Sequence, residues 1–490
     1  MNAGTAETEG IGRSGRYALI AIAWLCATCL LLPAPWLLYA AGALAGLALL
    51  YYVVHCLVEN EVHRLVLAWV LIFPLGYYFL SFPISKPLIT LDRLIVGICL
   101  GGMLFAKKES WTRITGQLRQ AGWLWACFAA AAGLSLLKPG VEMNSLRVYG
   151  DAFILPALFG WYVIAQFPVM KHVRVLHVFI CLLAIYLAAL GALELSRGEE
   201  LMPMPGVGSY HARSGLEEIV RVKGPFQTNH SFGLVGLISL FFLLFLRKAA
   251  PAMPRWQRCL HWVGVPAALM VALLPMFRSI ALTLLMVLFL SIGPGQSWKR
   301  RTALVCTLGL AVGAFLLLNA ALPDIYRERV SSPENVNARF VQQLQNLDLF
   351  LENPWLGVGI ANFGYAAPKV TRYSKFNPDG IEPLYAPHNN WTGILAETGL
   401  LGLLPYTAAQ LLLVSAFWKL RREGSTGKLV WKYFLFILLA YGVSGMTLTS
   451  GYYGDLNMWF MFTVAALYKY TIEQPPLLRG QAPRWLAAPR

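Results

Sequence analysis

Apolar residues run in long blocks along most of the chain, from about residue 17 to residue 470. A block of about 20 apolar residues is long enough to cross a membrane as a helix. Within a bilayer, helices satisfy their own backbone polar groups. The pattern therefore predicts an all-α polytopic membrane protein with about 12–14 transmembrane helices and a large helical extracytoplasmic loop. The candidate spans are 17–33, 35–57, 65–82, 90–106, 121–137, 150–168, 175–193, 229–246, 262–276, 279–294, 302–322, 391–418, 429–447 and 456–470.

Lysine and arginine concentrate in alternate connections between these spans. Cytoplasmic loops of membrane proteins carry such an excess of Lys and Arg, so the alternation predicts orientation. Both termini are expected in the cytoplasm, as tails at 1–16 and 471–490. The polar start of the chain favours an uncleaved first span over a signal peptide. The basic connections fall at 13–16, 107–119, 171–174, 247–258, 299–301 and 419–428.

The remaining chain divides into transmembrane helices at 17–322, an extracytoplasmic loop region at 323–390 and C-terminal transmembrane helices at 391–470. A shorter outer loop is expected at about 194–228. Within the large loop, Asn335 to Glu352 has the pattern of an amphipathic helix, which Asn353-Pro354 ends. Its apolar face carries Phe340, Val341, Leu344, Leu347 and Leu351.

Composition supports this assignment, because 57% of the residues are hydrophobic and only 13% are charged. An ordinary soluble domain has about 25% charged residues. The values exclude a soluble enzyme, a disordered protein and a nucleic-acid-binding module, so we expect membrane lipids and no nucleic acid as partners. The net charge of +16 is accounted for by the basic loops. No disulfide framework is expected, because the eight cysteines lie in apolar runs or predicted inner loops.

Ionisable residues near the predicted outer boundary are the candidates for chemistry. Cations there run against the positive-inside trend, and an anionic ligand would explain them. Arginine presents a planar fork of donors that matches phosphate oxygens. The alternative is that each Arg reaches lipid phosphate or a helix C-terminus. The group comprises Arg147, Asp151, Arg221, Lys223, Arg278, His388, Glu397 and Asp455.

The sharpest local pattern is Pro387-His-Asn-Asn-Trp, where the long outer loop meets the next span. Imidazole titrates near neutrality, so His388 is a candidate for accepting a proton from a substrate hydroxyl. A helix-capping His is the alternative. Glu397, nine residues later, would orient a partner or cap a helix that restarts after Gly399. No metal site is expected, and no cofactor, because metal-ligand spacings and phosphate-binding glycine loops are absent from the sequence.

Three sequence blocks resemble the O-antigen ligase and O-antigen polymerase superfamily of bacterial envelope glycan transferases. They are Arg221-x-x-Gly-Pro-Phe-x-x-Asn-His-x-Phe-Gly233, Asn353-Pro-Trp-Leu-Gly-Val-Gly-Ile-Ala-Asn-Phe363 with the preceding Arg339 helix, and Ala386-Pro-His-Asn-Asn-Trp to Gly402. The resemblance covers roughly residues 145–470. The sequence has Phe277-Arg-Ser where the family often has Ser-Arg, so that match rests on Arg278.

The resemblance implies glycosyl transfer at the outer face of the bacterial inner membrane, independent of metal and inverting. The donor would be a glycan on undecaprenyl diphosphate, and the acceptor a sugar hydroxyl of lipid A-core or of a growing polysaccharide. His388 would be the base, and Arg221 and Arg278 would bind the leaving diphosphate. Expected substrate-binding residues are Lys223, Asn229, Arg147, Arg339, Asn389 and Glu397. Aromatic candidates for the acceptor sugar are Trp355, Tyr365, Tyr373 and Tyr385.

Two alternatives remain open at this point. A repeat-unit polymerase of the same superfamily would use the same donor chemistry and differ in its acceptor. A lipid-linked oligosaccharide flippase or transporter is the second alternative, although such proteins usually carry ionisable groups near the middle of the membrane.

Overall fold

The computed structural model describes most of the chain. The described residues are 48, 50–59, 61–76, 81–82, 88–105, 116–202, 211–214, 217–220, 222–250, 253–291, 302, 333–367 and 387–474. They form two compact units, Met1–Leu65 and Val66–Arg490. In the first unit, residues 50–58 are helical and a 3₁₀ turn follows at Val62–Arg64. The predicted span 17–33, and all of the predicted span 302–322 except residue 302, lie outside the described residues.

Helices dominate the described chain, which confirms the predicted helical class. The helices are α1 Leu65–Gly76, α2 Leu91–Phe105, α3 Gly116–Ser135, α4 Met143–Val148, α5 Leu155–Gln166, α6 Val169–Arg197, α7 Asn229–Ala249, α8 Arg255–Leu273, α9 Arg278–Ser291, α10 Pro333–Glu352, α11 Phe363–Ala366, α12 Asn390–Leu420, α13 Gly424–Thr447 and α14 Gly454–Glu473. A π-helical turn, Tyr149–Ile154, joins α4 to α5.

Two short antiparallel hairpins interrupt the helical pattern, and the apolar blocks did not predict them. Strands β1 Ser81–Phe82 and β2 Ile89–Thr90 pair with each other, as do β3 His211–Ser214 and β4 Glu217–Val220. Both hairpins lie in connections between apolar helices. The strict all-α prediction therefore needs this small correction.

Five helical stretches are long and apolar enough to cross a membrane, within the part of the chain that the structure describes. They are Met143–Gln166, Val169–Arg197, Asn229–Ala249, Asn390–Leu420 and Gly424–Thr447. Together they indicate a multi-pass membrane protein. The shorter α8 and α9 occupy the predicted pair at 262–276 and 279–294. Of the five, α7 is the most enclosed, because 83% of its most apolar stretch is buried. Its first turn is also buried, as His230 and Ser231 show.

A break within α12 shapes the site. Gly399 has φ 61° and ψ −161°, which interrupts the helix and frees backbone groups on both sides. The segment at 353–359 docks into this break. Its backbone exchanges four hydrogen bonds with α12: Val358 N–H to Ala396 O (3.0 Å), Gly359 N–H to Glu397 O (2.9 Å), Leu400 N–H to Pro354 O (2.9 Å) and Leu401 N–H to Trp355 O (3.1 Å). The second and third sequence blocks are therefore two halves of one structural unit.

Close backbone approach explains the glycines of this unit. A Cβ on Gly357 would lie 2.2 Å from the carbonyl carbon of Glu397, and one on Gly399 would lie 2.4 Å from that of Trp355. Both glycines also have positive φ angles, 63° and 61°. Any other residue at either position would push the segment out of the break.

Helix α10 confirms the predicted amphipathic helix but presents its faces in an unexpected way. Its inward side is largely polar and its outward side is apolar. The buried residues are Val341, Gln342, Gln345, Asn346 and Leu349, whereas Phe340, Leu347 and Leu351 are exposed. The predicted face is thus divided, because Val341 is buried and the other members turn outward or lie half-buried. The physical reason is that polar side chains of α10 hydrogen-bond to the start of α12.

Candidate functional site

His388 lies directly before α12 and has a left-handed backbone conformation, with φ 47°. A non-glycine residue in this region is strained, and such strain is often found at functional sites. The next residue fixes the geometry, because the Asn389 side-chain oxygen accepts the backbone N–H groups of Trp391 (2.9 Å) and Thr392 (3.2 Å). His388 is therefore set at a sharp corner where the loop turns into the helix.

Helix α10 supports this corner from the side. Asn346 Nδ2 donates to the carbonyl oxygen of Pro387 (3.1 Å) and to Thr392 Oγ1 (2.9 Å). Thr392 in turn donates to Gln343 Oε1 (2.6 Å). The residues on both sides of His388 are thus held by α10, the helix that also carries Arg339.

Electrostatic interactions link Arg278 to Arg339 and Arg339 to His388, and we call these three residues the cationic cluster. Burial, and then the nearby Arg339 guanidinium, lower the pKa of His388 to about 4. Burial and the nearby Arg278 lower the pKa of Arg339. Arginine does not lose its proton in proteins, so Arg339 remains a cation at neutral pH, whereas His388 is neutral.

A second imidazole, His230, joins the cluster from the start of α7. Both Arg339 and His388 act on its ring electrostatically. His230 is buried, its Nε2 lies 2.6 Å from Ser444 Oγ, and its ring meets Phe277 edge to face at 5.1 Å. Nδ1 of His388 and Nδ1 of His230 are both buried without a hydrogen-bond partner among the described residues.

This arrangement combines two fixed cations with a neutral imidazole. Guanidinium groups bind phosphate oxygens through charge-assisted hydrogen bonds. A neutral imidazole has a lone pair that can accept a proton. The site can therefore hold an anionic group beside a proton acceptor.

Sequence reasoning placed Arg278, Arg339 and His388 in the site, and the structure brings these three together. It ranked Arg339 behind Arg221 and Arg278, yet Arg339 is the residue that acts on both imidazoles. Arg221 lies outside the described residues. His230 is not among the site residues predicted from the sequence. Its position beside Asn229 in the first sequence block was the available signal.

Lys223 is placed differently from the cluster residues. Its side chain is fully buried, and Nζ lies 2.7 Å from Glu200 Oε2. Glu194 accepts the backbone N–H groups of Lys223 (3.2 Å) and Gly224 (2.9 Å). The ammonium charge is therefore neutralised within the loop that leads into α7.

Asn389 and Glu397, two other expected substrate-binding residues, use their side chains within the protein. Asn389 caps α12 and also donates to the carbonyl oxygen of Met446 (3.3 Å). Glu397 is buried and accepts three hydrogen bonds. The donors are Ala361 N–H (2.7 Å), Phe363 N–H (3.2 Å) and Tyr452 Oη (2.8 Å). Glu397 therefore fastens the docked segment to α12, and the sequence pattern did not indicate Tyr452 as its partner.

Arg147 and Asn229 are both half-buried. Arg147 lies in α4 just before the π-helical turn, and Asn229 is the first residue of α7, next to His230. Tyr373 and Tyr385 lie outside the described residues, whereas Trp355 and Tyr365 are exposed. Within the described ranges, no group of three or more His, Cys, Asp or Glu side chains has an arrangement suited to a metal ion.

Comparison with known proteins adds a family to this geometry. A comparison with curated proteins found no match. The family model described as O-antigen ligase matches residues 276–407, a stretch that contains Arg278, Arg339, His388 and the docked segment. This match confirms that the chain resembles the O-antigen ligase superfamily.

Proposed function

We propose that the protein transfers a glycan from an undecaprenyl-diphosphate-linked donor to a sugar hydroxyl at the outer face of the bacterial inner membrane. The family match supports glycosyl transfer of the O-antigen ligase and polymerase kind. The observation that carries the proposal is the convergence of Arg278, Arg339 and His388 from three separate stretches of chain. A diphosphate and a hydroxyl nucleophile are the two reactants that such a cluster suits.

Arg278 and Arg339 hold the diphosphate in this scheme. Burial first, and the nearby Arg278 second, lower the pKa of Arg339, and a bound anion would relieve the repulsion between the two guanidinium groups. Negative charge grows on the diphosphate as the glycosidic bond breaks. Fixed cations placed at that point stabilise the transition state more than the ground state. Arg221 is a further candidate for the same task.

His388 takes the proton of the acceptor hydroxyl. The acceptor oxygen forms a bond to the anomeric carbon from the side opposite the diphosphate, and the carbon–oxygen bond to the diphosphate breaks. The bonding electrons leave with the diphosphate, and the anomeric centre inverts. Because Arg339 and burial keep His388 neutral, the base is ready at neutral pH without prior loss of a proton.

Other residues contribute to binding in this proposal. Asn229 is half-buried and lies next to His230 in the chain, so it remains a candidate for binding the donor. Trp355 and Tyr365 are exposed aromatic surfaces on which an acceptor sugar can stack. Lys223, Asn389 and Glu397 would act through the shape of the site, because their charged or polar groups already contact protein partners. Arg147 stays a candidate from sequence.

The test is product formation by the purified protein in lipid vesicles. The assay supplies a polyprenyl-diphosphate glycan together with lipid A-core or with free repeat units, and products are separated by mass. A glycan joined to lipid A-core identifies a ligase, whereas extended chains on the polyprenyl carrier identify a polymerase. Movement of the donor across the bilayer without a new glycosidic bond identifies a transporter and overturns the proposal.

A double substitution links the reaction to the cluster. Arg278→Ala with Arg339→Ala should lower donor affinity by about 100-fold or more, because each charge-assisted hydrogen bond contributes about 1.5–3 kcal/mol. Arg255→Ala with Arg258→Ala is the matched control, since these exposed arginines belong to a predicted cytoplasmic connection. If the two double variants bind the donor equally well, Arg278 and Arg339 do not bind the diphosphate.

A further inference from the structure

The side of α10 that faces away from the protein forms a continuous apolar stripe. Phe340, Leu347 and Leu351 are 65%, 47% and 55% exposed. Their spacing of seven and four residues places them on one face of a helix, and Leu344 lies on the same face by its spacing. We call these four residues the outward stripe.

The inward side of α10 includes three buried amide side chains, beside Val341 and Leu349. Gln345 and Asn346 are buried, at 0% and 1% exposure. Both amide atoms of Gln345 and Oδ1 of Asn346 have no hydrogen-bond partner among the described residues. A helix on a protein surface in water buries its apolar side and exposes its polar side. The reversed arrangement indicates that the surroundings of the outward stripe are apolar.

The position of α10 along the bundle follows from its contacts with the first segment of α12. Asn390 Nδ2 donates to Ser450 Oγ (3.0 Å), and Glu397 accepts from Tyr452 (2.8 Å). Both ends of this segment thus contact the short connection that follows α13. Because α10 hydrogen-bonds to Thr392 in the same segment, it lies at the level where α13, a candidate span, ends.

The outward stripe is linked through Trp355 to exposed leucines of a candidate membrane span. Leu401 and Leu404 are 49% and 63% exposed on α12, a candidate membrane span. The carbonyl oxygen of Trp355 accepts the Leu401 N–H at 3.1 Å, and the Trp355 ring is exposed. Trp355 follows Leu351 by four residues. Tryptophan is enriched where hydrocarbon meets lipid headgroups, so this ring marks that boundary.

We propose that α10 is an interfacial helix, with its outward stripe immersed in the acyl chains of the outer leaflet. The occupant of the stripe is lipid hydrocarbon, and neither water nor a second protein covers it. Arg339 is adjacent to Phe340 and is exposed, so its guanidinium is held at the depth of lipid phosphates. The inference is independent of the proposed reaction, because it concerns membrane depth alone.

The depth of the stripe is measured with nitroxide labels on single cysteines. Phe340→Cys, Leu347→Cys and Leu351→Cys are made in the full chain with its native cysteines replaced, and reconstituted in phosphatidylethanolamine–phosphatidylglycerol vesicles. We expect all three labels to collide several-fold more often with oxygen than with a water-soluble nickel chelate, at similar depths. Glu352→Cys, an exposed acidic position on the same helix, is the matched control and should favour the chelate.

Three results would overturn the inference. Preferred collision with the chelate at positions 347 and 351 would show water over the stripe. Protection from both reagents, with dipolar broadening between labels, would show a second copy. A steep increase in depth from position 340 to position 351 would show a helix that runs along the membrane normal.

The unmodified protein supplies a second measurement that does not depend on tolerated substitutions. A lipid-soluble carbene reagent, activated in the same vesicles, should modify residues 339–352 to a yield similar to that of α12. A yield at or below that of the exposed polar end of α6, around Arg197, would also contradict the inference.

Discussion

Two ends of the same short helix segment treat their ionisable residues in opposite ways. At its start, His388 has a strained backbone and a buried ring nitrogen without a partner among the described residues. At its end, both carboxylate oxygens of Glu397 accept hydrogen bonds, three in all. Sequence reasoning selected both residues as parts of a site. The two residues differ in their hydrogen bonds. A carboxylate whose oxygens both accept hydrogen bonds from the protein stabilises the fold, whereas an imidazole nitrogen without a partner remains available for a substrate.

His388→Ala tests the start of the segment and is expected to have the largest effect on activity. General-base catalysis typically contributes about 10²–10⁴-fold to a rate, so we expect transfer to fall by that factor while the protein still folds. Transfer is measured with purified protein and saturating donor. His55→Ala, in the other compact unit, is the control and should retain parental activity. Transfer by the His388→Ala variant within a factor of two of the parent would contradict the assignment.

Glu397→Ala tests the end of the segment where the carboxylate accepts hydrogen bonds from the protein. The substitution leaves two backbone N–H groups and the Tyr452 hydroxyl buried without an acceptor. At about 1–3 kcal/mol for each unsatisfied group, the free energy of unfolding should fall by about 3 kcal/mol or more. Thermal unfolding in detergent measures the loss. Glu352→Ala, at an exposed acidic position nearby, should change the stability by less than about 0.5 kcal/mol.

Gly357→Ala examines the docked segment that Glu397 fastens. The added methyl group would meet the backbone of Glu397, and a φ of 63° disfavours alanine, so we expect a loss of about 2–3 kcal/mol. Gly442→Ala is the matched control in α13, where the new methyl group meets nothing within 4 Å. Its stability should stay level or rise slightly. Equal stability of the two variants would show that the segment does not require close backbone approach.

The smallest expected effect is a change in pH dependence. Loss of the nearby cation in Arg339→Gln makes protonated His388 less unfavourable, so the pKa of His388 rises from about 4. A base with a higher pKa is protonated at higher pH, and the acid limb of kcat/KM should therefore move upward by about one unit. Arg258→Gln should leave the profile unchanged. If the acid limb does not move in Arg339→Gln, the charge of Arg339 does not influence the pKa of His388.

Much of this molecule could be predicted from the sequence, because the controlling signals are local. Apolar length gave the helices, and spacing with a terminal Asn-Pro gave α10 within two residues at its start. Arg278 and His388 are predicted from their place at the outer boundary, whereas Arg339 is predicted only through the family resemblance and with a lesser role. The helix restart at Gly399 was also predicted, and the break in α12 confirms it.

The rest depended on contacts between distant backbone groups, which leave no periodic signal. The docking of residues 353–359 into α12 joins carbonyl and amide groups about 40 positions apart. The only sign of this docking in the sequence is the pair of glycines, Gly357 and Gly399. The partners of Glu397 and Lys223 could not be predicted for the same reason. A charged side chain can contact a residue that is distant in the sequence. The outward stripe of α10 was seen as a pattern, but only the structure showed which way it turns.

The filled break in α12 has a consequence for how this protein can vary. Residues 353–359 and residues 396–401 each supply what the other lacks, so neither stretch is complete alone. A variant that lost one stretch, or its close-packed glycine, would leave unpaired amides inside a membrane helix. Because the earlier stretch leaves the ribosome first, the complement of α12 already exists when α12 is made.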